Sequence, residues 1–107
     1  MNAIEAIFSA DRRAVIHNHV IICASNEERK RLFDECCMIM QYSTATIRWS
    51  EFMLTFHQGG IVRFVVVHDE RDLYKILSLQ VHGVWARTPC PFETELHAIL
   101  RHRVKMF

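Results

Sequence analysis

The sequence predicts one α/β (or α+β) domain over residues 1–107, a mixed sheet of about four to five strands with about three to four packed helices. Three observations predict it. Runs rich in β-branched residues recur along the chain, stretches with helical apolar spacing separate them, and Gln58-Gly59-Gly60 joins two of the runs. The composition supports a core: 50% of the 107 residues are hydrophobic, with only 3 glycines and 2 prolines. That is unlike a disordered chain. Continuous apolar runs such as 20–24, 36–40 and 64–67 fall far short of a membrane span. Met1-Asn2-Ala3-Ile4-Glu5 has neither the basic region nor the apolar run of a signal peptide, so a cytoplasmic location is expected.

In chain order, residues 2–11 carry Ile4, Ile7 and Phe8 at helical spacing, followed by Arg12-Arg13 where the macrodipole favours positive charge. Residues 14–24 read as a strand whose apolar second half is covered on both faces. Ser25-Asn26-Glu27-Glu28 forms a capping box. It opens a helix to about Tyr42 with Leu32, Phe33, Cys36, Cys37 and Met40 on one stripe. Residues 44–49 alternate, with Ala45, Ile47 and Trp49 opposite Thr46 and Arg48. Residues 52–57 and 61–67 flank the glycines as a hairpin, and the second arm, apolar on both faces, belongs inside the sheet. Acidic residues at 69–72 start a short helix that buries Leu73, Ile76 and Leu77. Residues 81–86 form a strand and 87–91 a loop stiffened by Pro89 and Pro91. The last helix runs from about 92 to 104, burying Leu96, Ile99 and Leu100, and ends in Arg101, Arg103 and Lys105.

Several pieces match one pattern: Val20-Ile21-Ile22-Cys23-Ala24-Ser25 leading into a helix, the turn and arm Gln58-Gly59-Gly60-Ile61-Val62-Arg63-Phe64, then Lys75-Ile76-Leu77 before Gly83-Val84-Trp85. Over residues 20–87 the chain resembles part of the ATPase core of phage DNA-packaging terminases and related P-loop motors. In that family the strand like Gly83-Val84-Trp85 carries the Walker B acids. The departures fall on the chemistry. None of Gly59, Gly60 and Gly83 precedes the Lys-Ser or Lys-Thr pair that holds phosphates. Ala86 and Arg87 stand where an Asp-Glu pair would hold magnesium. The resemblance therefore implies a degenerate P-loop-like scaffold of phage or mobile-element origin, without ATPase activity or cofactor.

Other constellations are weaker. His17 and His19 point to one side of a strand, and His57, His68 and His82 lie near strand ends, but no metal-ligand spacing appears. The 4 cysteines are expected to be free thiols. Cys90, between two prolines, is the one candidate nucleophile, and it needs an oriented base. A net charge of +1 gives no global field toward nucleic acid. The expected function is a non-enzymatic interaction protein that binds a protein partner or forms a homodimer, with Trp49, Trp85 and Tyr74 as candidate anchors. The alternative is a nucleic-acid-binding accessory factor using Arg29, Lys30, Arg31, Arg101 and Arg103. A second alternative is a small metal-dependent hydrolase built on the histidines. No catalytic residue, metal site or membrane contact is expected.

Overall fold

A computed structural model describes residues 17–40, 45–56, 59–77, 81–86, 90, 92–100 and 104–106. The expected first helix, Arg12, Arg13, His57, Arg87, Arg101 and Arg103 lie outside them. The elements are β1 (Asn18–Cys23), α1 (Asn26–Met40), β2 (Ala45–Arg48), a 3-10 turn (Trp49–Glu51), β3 (Met53–Phe56), β4 (Ile61–Val66), α2 (Glu70–Leu77), β5 (Gly83–Ala86), α3 (Glu93–Leu100) and β6 (Val104–Met106). They form one mixed α/β arrangement. Its sheet runs β2-β3-β4-β1-β5-β6. β1 pairs in parallel with β4 and β5, and β5 with β6, while β2, β3 and β4 form an antiparallel wing.

The local causes match the sequence. The apolar half of β1 is buried on both faces, as its lack of alternation requires. Helix α1 opens on the expected reciprocal cap. The Glu28 N–H donates to Ser25 Oγ at 3.1 Å, and the Ala24 N–H donates to Glu28 Oε1 at 3.1 Å. Its Leu32, Phe33, Cys36 and Cys37 are buried as one stripe. The hairpin turns at Gly59, whose φ of 100° is open to glycine without steric cost. There the Gly59 N–H donates to the Phe56 carbonyl and the Phe56 N–H to that of Gly60, each at 2.9 Å. β4 then lies between β3 and β1, inside the sheet as expected.

Two hydrophobic clusters sandwich the sheet. On the first face α1 packs over Ile21, Cys23, Leu54, Phe56, Val62 and Phe64. On the second, Leu73 and Ile76 of α2 and Leu96 and Leu100 of α3 pack over Val20, Ile22, Val84 and Ala86. The described residues carry three helices and six strands, so the expected strand count was too low. The difference is the C-terminus. Among the described residues α3 spans Glu93–Leu100, and Val104, where the helix was expected to end, begins a strand, Val104–Met106, that pairs in parallel with β5. Strand pairing there satisfies the outer backbone groups of β5 and lays Val104 against the second-face core, so tertiary context overrides the helical spacing.

Gly83 is required by a close approach. A Cβ at this position would lie 2.8 Å from His19 Nδ1 and 3.3 Å from Trp85 Nε1. Those two rings are themselves joined, the Trp85 Nε1–H donating to His19 Nδ1 at 3.3 Å in the interior. Replacing Gly83 with Ala is expected to lower stability by about 1–3 kcal/mol, the usual cost of overpacking. Urea denaturation measures it, and an unchanged midpoint would contradict the packing described.

Candidate functional site

A shallow groove lies where α1 meets the edge of the sheet. The stripe that buries Cys37 turns the next residue, Met38, outward, where it is 72% exposed. Across from it β2 alternates, and Ile47 packs against the first-face core. Trp49 does not continue the strand as its alternation suggested. It begins the 3-10 turn, which ends at Phe52 with a φ of 50°. A phenylalanine in that left-handed conformation costs about 1–2 kcal/mol. Aromatic packing offsets it. Phe33 stands at the centre, with ring centroids at 5.5 Å from Trp49, 5.3 Å from Phe52 and 5.3 Å from Phe64, all edge-on. One edge of Trp49 is thereby fixed while 60% of the residue stays exposed. The groove holds about 310 Å³ and is lined by Asp34, Cys37, Met38, Ile47 and Trp49.

Its electrostatics do not favour nucleophilic chemistry. Burial, assisted by the Asp34 carboxylate, pushes the Cys37 thiol up to about 11. Burial and the charges of Glu93 and Glu28 likewise raise the Cys90 thiol. An activated cysteine needs the opposite, a neighbouring cation or helix N-terminus that lowers its pKa. No disulfide joins the four cysteines.

The sequence-predicted anchors do not share a surface. Trp85 is 5% exposed and belongs to the core, held by His19 and covered by Lys105, whose Nζ lies 5.5 Å from its ring. Its buried ring faces the first-face cluster and leaves little surface for a partner. Tyr74 is exposed, but on α2, across the sheet from Trp49. Of the three, only Trp49 lines the groove. The basic stretch is also dispersed. Arg29 folds inward with its guanidinium carbon 4.1 Å from the Phe52 ring centroid and donates to Asn26 Oδ1 at 3.1 Å. Arg31 pairs with Glu28 at 4.0 Å, leaving Lys30 on the solvated face of α1. Lys105 lies on β6 rather than at a helix end.

His17 stacks on His82 at 4.5 Å, and the Asn18 N–H donates to His82 Nδ1 at 3.0 Å. Among the described residues no three His, Cys, Asp or Glu side chains are grouped to hold a metal. Against known proteins, this chain matches no family model, no curated protein and no solved structure. Sequence reasoning missed Met38. Its signal was present: it follows two stripe residues yet falls off their face, an apolar side chain turned to water.

Two outcomes follow for the thiols. In the native protein Cys37 is expected to resist iodoacetamide at pH 8 and to react on unfolding. Its folded pKa is raised, so between 9.0 and about 11 the unfolded chain loses a proton that the folded chain keeps. Stability should therefore fall as pH rises above 9.0. Mass spectrometry of labelled peptides and denaturation at pH 8 and 10 test both; rapid native labelling of Cys37 would contradict the assignment.

Proposed function

We propose that this chain is a non-enzymatic interaction protein of the phage or mobile-element kind, acting in the cytoplasm by binding a protein partner or a second copy of itself. One observation carries it: a sheet edge with no neighbour among the described residues coincides with exposed apolar side chains. β2 is the last strand of the described sheet, and Met38 and Trp49 flank the groove beside it. An extended segment laid along β2 gains main-chain hydrogen bonds from the edge and places an apolar side chain in the groove. Tryptophan is enriched among the residues that dominate binding energy, and an aromatic ring already fixed on one edge loses little entropy on contact. The raised thiol pKa values support action through a surface rather than a nucleophile. So does the lack of phosphate-handling residues in the terminase-like stretch.

The test combines sedimentation velocity over a concentration series with capture from the native cell, comparing wild type with a Met38→Ser/Trp49→Ser double variant. Truncating one such anchor costs about 2 kcal/mol or more, so association is expected to weaken at least about thirtyfold. A chain that stays monomeric at every concentration and captures the same proteins with or without the two substitutions would refute the proposal.

A further inference from the structure

The second face carries a separate cavity. β1 and β4 are parallel neighbours, yet α1 follows β1 onto the first face and α2 follows β4 onto the second. Ligand sites in open α/β sheets form at such a reversal, beyond the carboxyl ends of the strands. Helix α2 has only 8 residues and packs on Val20, Ile22 and the flank of β4. Beyond it, β4 and β3 have no described helix above them. A crevice of about 620 Å³ opens there, within the range of small-molecule sites. Met53, Val65, Val67 and Ile76 give it an apolar floor and wall.

Its charges are unbalanced in availability. Both carboxylates are engaged: Glu51 pairs with Arg48 at 3.9 Å, and Asp72 accepts the His68 N–H at 2.8 Å and faces Lys75 at 3.5 Å. The cations are less engaged. Arg63 is half-buried in the middle of β4, and its guanidinium makes no hydrogen bond or ion pair with a described residue. Arg29 reaches the same crevice from the first turn of α1, and its Nε is buried without a hydrogen-bond partner among the described residues. A guanidinium taken out of water needs an acceptor, and carboxylate and phosphate oxygens fit its planar donors best.

We propose that this crevice binds a small organic anion, with a phosphate or carboxylate group on Arg63 and Arg29 and an apolar body against Met53, Val65 and Ile76. It is independent of the β2 groove. The test titrates 1-naphthyl phosphate, with 1-naphthol and inorganic phosphate as separate arms, following the methyl signals of Met53, Val65, Val67 and Ile76 by NMR. Saturable shifts confined to these methyls are expected with naphthyl phosphate, at an affinity at least tenfold above either arm alone. Arg63→Met should weaken binding at least tenfold, and Met38→Ser, in the other groove, should leave it unchanged. Arg29→Gln provides a second variant that should weaken binding at least tenfold should Arg63→Met fail to fold. Equal affinity in a folded Arg63→Met chain, or shifts centred on Met38 rather than these methyls, would overturn the proposal. Equal saturation by inorganic phosphate would also overturn it, because the apolar body would then contribute nothing.

Discussion

Everything in this structure depends on β1 being held between β4 and β5. Its Val20, Ile21 and Cys23 are fully buried, and both rows of its backbone groups are taken by parallel neighbours. Alternate side chains of this one strand nucleate both hydrophobic clusters, Ile21 and Cys23 with α1, Val20 and Ile22 with α2 and α3. A polar residue in this run would leave unpaired groups in the interior at a cost of about 1–3 kcal/mol each. His19, the buried polar residue of β1, has its Nδ1 satisfied by the Trp85 Nε1–H, and Gly83 leaves the space for its ring.

The two halves of the sheet differ in cover, and that difference places both candidate surfaces. The parallel half around β1 and β5 has helices α2 and α3 on its second face. The antiparallel wing has α1 on its first face alone among the described residues. Phe33 anchors that single layer by gathering Trp49, Phe52 and Phe64 around one ring. The same cluster orients Arg29, whose guanidinium rests on the strained Phe52. The edge groove and the second-face crevice thus lie on opposite sides of one wing.

Local signals made most of the fold legible. The Ser25–Glu28 cap, the Leu32-to-Cys37 stripe, the glycine turn and the acidic start of α2 are each written within a few residues, and each formed as read. What depends on distant partners was not legible. Val104–Met106 is a strand because β5 offers an edge, while its own spacing continues the helix before it. Trp85 read as a candidate anchor because nothing near it in sequence reveals His19, which lies 66 positions away. Arg63 was passed over inside a run taken as apolar on both faces. One charge in such a run is the signal that the protein does not close that face.

Amide hydrogen exchange tests the central role of β1 most directly. The amides of Ile21 and Ile22 should exchange only through global unfolding, with an opening free energy equal to that from denaturant titration, and those of β2 should open more easily. If the β1 amides exchanged as fast as those of β2, the strand would not be the element on which both layers are built.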